Sequence, residues 1–252
     1  MTSPIPPFSR DYAMSQVPET TDPLSGLEKI ERSFPPVGLM DAVEIRGGKE
    51  CSIYGEVNMF DDEEILQIHK IIEEKEIGRH VSAGISENGK HVIQQQGTRG
   101  CTAAVAAMLI MDHGKQPEIL ELISRDLGTE QDTIRDIKNA GLEHILHAVA
   151  DFEKLKPLLD DHGSAIVTIE DKMLGSHEVV VDEITGESVR LRDPYHGWEI
   201  TVTLKAFTER FVPFDPKVAA ELKAIADRPH RFKRPNLDSE FGNVIQIKGP
   251  SS

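Results

Sequence analysis

Cysteine, aromatic residues and long apolar runs are scarce in this chain of 252 residues, and cationic residues fall well short of the anionic ones. Two cysteines, Cys51 and Cys101, cannot make a disulfide framework, and no Cys-x-x-Cys pair is present to hold a structural zinc. No stretch approaches the roughly 18 consecutive apolar residues of a membrane-spanning helix. The opening residues, Met1 to Arg10, lack the basic start and apolar segment of a secretory signal, so a cytoplasmic protein is expected. Lys and Arg total 28 against 43 Asp and Glu, a formal charge of −15, and a surface of that sign repels phosphate backbones. A nucleic-acid partner is therefore not expected. Neither a P-loop nor a Gly-x-Gly-x-x-Gly pattern occurs, which argues against nucleotide-dependent chemistry, and no cofactor is implied.

What is present divides into three parts. Residues 1–36 are rich in Pro, Ser, Thr and acidic side chains and read as a disordered or extended tail. Residues 37–227 carry the periodic apolar pattern of a folded domain, and residues 228–252 form a basic C-terminal extension. Within the domain, Ile65, Ile68 and Ile72 at helical spacing predict an amphipathic surface helix over 61–75. Asn88-Gly89 predicts a hairpin between Val81 and Gln94. Cys101 to Asp112 has no polar face, so that helix is buried. Helices at Pro117–Arg125, Glu130–Asn139 and Phe152–Asp161 follow. Beyond Gly163 the period changes to that of strands, at Ala165–Ile169, His177–Ile184, Ser188–Asp193 and Trp198–Thr203. Helices at Leu204–Arg210 and Lys217–Ala226 and a last strand at Asn243–Lys248 complete the pattern. Helices first and an antiparallel sheet second make an α+β fold.

The stretch with most chemistry is Gln95-Gln96-Gly97-Thr98-Arg99-Gly100-Cys101. It sets a cysteine at the first turn of the buried helix, where unpaired N–H groups and the helix dipole favour thiolate over thiol. The glycines allow close approach of a substrate carbonyl, and the Cys101 N–H with the Gln95 side-chain amide would form an oxyanion hole. A thiolate needs a histidine, and the histidine needs a third group to fix its ring. His177 shares a strand face with Val179 and Val181, and Asp193 shares one with Val189 and Leu191, while Arg190 and Arg192 take the other. A hairpin turning on Ile184-Thr185-Gly186, with the glycine left-handed, pairs residues whose numbers sum to 370. It sets Val181 against Val189, Val179 against Leu191 and His177 against Asp193.

Gln-x5-Cys at a helix start, a late His-x-Val-Val-Val strand and Asp-Pro sixteen residues beyond the histidine resemble the papain-like cysteine peptidases. The resemblance is closest to the branch of bacteriocin-processing, double-glycine-leader peptidases, and it runs from about His91 to Phe211. It includes Gly163-Ser164-Ala165-Ile166-Val167 and Asp193-Pro194-Tyr195-His196-Gly197. Gly100-Cys101-Thr102 stands where that family commonly has Asp-Cys-Gly. The resemblance implies a papain-like fold with Cys101 as nucleophile, His177 as general base and acid, Asp193 as its orienting partner and Gln95 as oxyanion donor. It implies a protein or peptide substrate.

Similar triads serve bacterial effector enzymes that cleave host proteins or deamidate glutamine, and a polar start without a signal peptide suits delivery to a host cell by a specialised secretion system. Protein glutamine deamidation or acyl transfer is thus an alternative to peptide or isopeptide cleavage, and a catalytically silent binding module is another. Other signals are weaker. Cys51 reads as structural. His144-x-x-His147 offers two imidazoles one helical turn apart but no third ligand, so no metal is expected. His196 reads as a turn residue that could line a cleft. Arg228, His230, Arg231, Lys233 and Arg234 form a basic island able to dock an anionic partner.

Overall fold

The computed structural model describes residues 59–78, 81–95, 100–124, 128–171, 175–226 and 241–249. The expected N-terminal tail, Cys51 and the basic island lie outside the described residues.

In chain order the elements are β1 (Ile65–Ile68), β2 (Ile71–Gly78), β3 (Val81–Ser86), β4 (His91–Ile93), α1 (Cys101–Asp112), α2 (Ile119–Ser124), α3 (Glu130–Asn139) and β5 (His144–His147). They continue as α4 (Leu155–His162), β6 (Ala165–Asp171), β7 (Gly175–Ile184), β8 (Ser188–Asp193), β9 (Trp198–Thr203), α5 (Leu204–Arg210), α6 (Pro216–Ala226) and β10 (Val244–Ile247). Seven strands form an antiparallel sheet in the order β1-β9-β8-β7-β6-β10-β5, and β2-β3-β4 form a second, smaller one. The α+β layout agrees with the sequence reading. No described helix is long and apolar enough to cross a membrane.

Both faces of the large sheet are covered, which is why its central strands read as nearly unbroken apolar runs rather than as alternating ones. One face presents Val167, Val179, Val181, Leu191 and Val244 to a core that includes Leu155 and Leu159 of α4 and Phe207 of α5. The other presents Ile166, Val180 and Ile245 to α1. Helix α1 is apolar all round because it is enclosed by β7, β4 and α3, and Thr102 to Met111 are all buried. Helix α3 is instead amphipathic. It starts on a capping box in which Thr129 accepts from the Asp132 N–H and Asp132 accepts from the Thr129 N–H, and it buries Ile134 and Ile137.

The hairpin at Asn88-Gly89 forms as expected, with Ala83, Gly84 and Ile85 opposite Ile93, Val92 and His91. Gly89 takes the left-handed conformation at φ 72° that its place in the turn requires. The final strand also forms, and it lies inside the sheet between β6 and β5, so residues 244–247 of the stretch read as an extension contribute to the core.

The helix expected over 61–75 does not exist. Those residues make β1 and most of β2. The error has a definite cause: a bulge between Ile65 and Gln67 absorbs Leu66, so Ile65 and Ile68 meet Val202 and Ile200 on one face of β9. A three-residue spacing that normally means a helix is here a bulged strand. A second bulge, between Ile71 and Glu73, leaves Ile72 outside the ladder. The two extra residues, Leu66 and Ile72, are 57% and 59% exposed.

The pair His144 and His147 likewise lies on a strand, β5, which the sequence reading missed. Three residues apart on a strand, two side chains point to opposite faces, so these imidazoles do not converge as they would on a helix. His147 stacks instead on His162, with ring centroids 5.9 Å apart.

Candidate active site

Cys101 is the first residue of α1, and Gly100 at the N-cap supplies no side chain to occupy the free N–H groups there. No acidic residue lies in that first turn. Positive partial charge at the helix start is therefore left for the sulfur and for any anion that forms beside it. Cys101 is half-buried, whereas the ten residues after it are buried. The helix thus holds its thiol at the edge of the core, where a substrate can reach it.

His177 enters from β7 and Asp193 from the end of β8. Both are almost fully enclosed, at 2% and 1% exposure. Nε2 of His177 lies 3.0 Å from Oδ1 of Asp193. That leaves Nδ1 as the ring nitrogen not engaged by Asp193, and Cys101 is the other group whose interaction with His177 favours the charged ring. Burial by itself would push the imidazole pKa down. The hydrogen bonds and negative charge of Asp193 and Cys101 outweigh it and raise the value from 6.5 to about 10. For Asp193, burial acts to raise the carboxyl, but the His177 hydrogen bond, the His196 charge and the Tyr195 N–H together hold it below the usual range. The arrangement favours the charged form of the His177 ring.

The contact expected between His177 and Asp193 is present, although the register that predicted it is not. Val181 pairs with Leu191 and Val180 with Arg192, a sum of 372, while Ile184 pairs with Val189, a sum of 373. A bulge at Asp182 makes the difference. Ile184 remains in the strand, and the turn is built by Thr185, whose hydroxyl accepts from the Ser188 N–H at 2.9 Å. Gly186 is not left-handed. Beyond the bulge the expected register is wrong by two residues, an even number, so every side chain keeps its face. His177 reaches Asp193 diagonally rather than directly across, within the span a long side chain covers.

Asp193 does two tasks. Its Oδ1 also accepts from the Tyr195 N–H at 2.8 Å, an Asx turn that starts the tight connection Pro194-Tyr195-His196-Gly197 into β9. Gly197, at φ 67°, closes that connection, and Trp198 then pairs with Asp193. The backbone that orients the histidine is therefore itself held by the orienting carboxylate.

Gln95 is buried at 3% exposure and donates its N–H to Pro194 O at 2.7 Å, which fixes it beside the same connection. The side-chain amide of Gln94 reaches Tyr195 O at 3.4 Å. Residues 96–99, between Gln95 and the cysteine, are outside the described set.

Two features escaped the sequence reading. Arg192, expected on the outer face, is fully buried against α1. Its guanidinium holds Asp182 through Nε and Nη2, each at 2.9 Å, and donates to His91 O at 2.7 Å, with Nη1 2.9 Å from Asp112 Oδ2. Alternation signalled the opposite face correctly, but nothing in the sequence said that this face is covered too. His196, read as a turn residue, is 5% exposed and lies 4.0 Å from Asp193 Oδ2 through its Nε2. Among the described residues no cluster of three potential metal ligands occurs.

No protein-family model and no curated protein matches the chain. Among solved structures, the chain is similar to a double glycine motif protease from an AMS/PCAT transporter, crystallised in complex with its leader peptide. The two are 24% identical over 48% of this chain and 84% of that one, with a TM-score of 0.40. It is also similar to the peptidase domain of Streptococcus ComA, a bi-functional ABC transporter of a quorum sensing pathway. That match has 20% identity, covers 48% of this chain and 91% of that one, and has a TM-score of 0.41.

Proposed function

We propose that the protein is a thiol peptidase that cleaves a peptide or isopeptide bond in a polypeptide substrate. The observation that carries this reading is the placement of His177 between Asp193, at 3.0 Å, and the half-buried Cys101 at a helix start. In this reading the Cys101 thiolate attacks the scissile carbonyl and the oxygen takes the negative charge, facing the Cys101 N–H and the Gln95 amide. The His177 imidazolium gives its Nδ1 proton to the leaving amine as the C–N bond breaks, which leaves a thioester and a neutral ring. A water molecule, deprotonated by that ring, attacks the thioester, and the departing sulfur restores the thiolate–imidazolium pair. Asp193 holds the ring in place throughout.

Peptides ending a leader segment in Gly-Gly are the first substrates to try, followed by by an unbiased peptide library, with mass spectrometry as the readout. Fragments that disappear when Cys101 is replaced by alanine support the reading. A one-dalton gain on glutamine without chain cleavage would replace it with deamidation through the same thioester. Equal, slow alkylation of Cys101 and Cys51 by iodoacetamide at neutral pH would remove the thiolate and with it the enzymatic reading.

A further inference from the structure

The aspartate that orients His177 has a second imidazole against it. Oδ1 of Asp193 is occupied by His177 Nε2 and the Tyr195 N–H. Its Oδ2 is buried, takes no hydrogen bond among the described residues, and faces His196 Nε2 at 4.0 Å. The His196 ring is clamped in that position. It stacks on Trp198 with centroids 4.3 Å apart and planes 16° apart, and meets the Tyr195 ring edge-on at 4.9 Å. Asp193 and His196 share a small cavity whose other walls include Met59, Phe60, Ile65 and Ile200, so little solvent screens the pair.

We infer that His196 is a positioning residue for the His177–Asp193 pair: clamped on Trp198, it binds its proton against Asp193 Oδ2 and then competes with His177 for the charge of that carboxylate. This rests on the peptidase reading for its catalytic meaning, but the proton site itself does not. With His196 neutral, the His177 ring is the one imidazolium that draws on the carboxylate. With His196 charged, two cations draw on one anion, and the pull that aims His177 at the sulfur weakens. Charged and titratable groups near His196 come from several of the described elements. Asp193 faces it from β8, with His177 of β7 and Cys101 of α1 beyond that carboxylate. On the side of residues 59–65 the Phe60 ring carries Arg210 at 4.8 Å, and Arg210 is paired with Glu64 at 2.7 Å.

The chain carries its own reporter. Trp198 is the single tryptophan in the sequence, and a stacked imidazolium quenches indole emission more strongly than neutral imidazole does. Selectively excited tryptophan fluorescence of the full chain, titrated between about pH 4 and 9 to span the ordinary histidine range, should therefore fall in a single one-proton step as pH is lowered. The step should persist in C101A, disappear in H196F, and move down by about one to three pH units in D193N, where the anion facing the ring is gone. A flat wild-type trace overturns the inference without needing any variant. So does a midpoint unchanged in D193N, or a step retained in H196F that is folded by far-UV circular dichroism. If peptide cleavage is found, the acid limb of kcat/KM should show one proton more in wild type than in H196F, and an unchanged limb rejects the positioning role. Absence of cleavage with the fluorescence step intact would sink the peptidase reading and leave the proton site standing.

Discussion

Arg192 and Asp193 are consecutive residues of one strand, and each anchors a buried cluster of charge, on opposite faces of the same sheet. On the α1 face Arg192 is enclosed by Asp182 and Asp112, with Lys90, 33% exposed at its side chain, within 4.0 Å of both carboxylates. Burial works against the Arg192 charge, but Asp182, Asp112 and Glu199 outweigh it and hold the guanidinium charged, and Arg192 with His91 and Lys90 keeps Asp112 ionised against its own burial. On the other face Asp193 holds a histidine, and the half-buried Cys101 is among the groups that favour the charge on that histidine. Burial and pairing are common to both clusters and do not mark function. What sets the second apart is a titratable histidine paired with the carboxylate and placed near a half-buried cysteine, the feature on which the proposed activity rests.

The two clusters should accordingly fail in different ways when cut. The largest effect expected is that of Cys101→Ala, which should reduce turnover by on the order of 10⁴-fold or more while leaving the denaturation midpoint close to wild type. Turnover that survives this substitution would place the chemistry elsewhere. Asp193→Asn should come next, with kcat/KM down by up to about 10⁴-fold because the imidazole loses both its orientation and the charge that sustains its proton. In the same variant the basic limb of the pH–rate profile should move down from near 10 toward the ordinary histidine range, since Asp193 raises the His177 pKa; a limb that stays in place contradicts the pairing.

Arg192→Ala, by contrast, should cost about 3–5 kcal/mol of stability in urea titration, because it strands Asp182 and Asp112 in the interior. Residual folded Arg192→Ala protein should still alkylate rapidly at Cys101. Replacing Arg192, Asp112 and Asp182 together by Met, Leu and Leu should recover much of that loss, and a triple variant no better than the single one would show that the cluster does more than neutralise itself.

Stability should also follow pH in the sense set by His177. Its folded pKa is raised, so the proton's contribution is complete below about 6.5 and is lost as pH rises toward 10. Urea midpoints should fall across that window in wild type and fall less in Asp193→Asn. The smallest effect expected lies away from both clusters: Thr129→Ala removes the capping box of α3 and should cost about 1 kcal/mol without altering alkylation or the pH profile.

Local signals were sufficient wherever neighbours in sequence settle the structure. The all-apolar run after Cys101 announced a buried helix, Asn88-Gly89 a hairpin, and Asp193-Pro194 the end of a strand, and each is present. The His177–Asp193 contact was legible because parity along a strand survives an error of two in register, whereas an error of one would have pointed the side chains apart. The 61–75 segment was misread because a bulge can imitate a helical repeat, and only the partner strand β9 shows which it is.

The sequence by itself determined the residue types and faces of the proposed triad, the helix start that carries the thiol and the strand ends that carry its partners. Only the tertiary structure decided that both faces of the sheet are covered, that Arg192 is sealed inside, that residues 244–247 complete the middle of the sheet, and that His196 turns inward onto Asp193. Alternation along a strand is a local property of the backbone, but which face meets solvent depends on what distant segments pack against it, and that information is carried by no single stretch of chain.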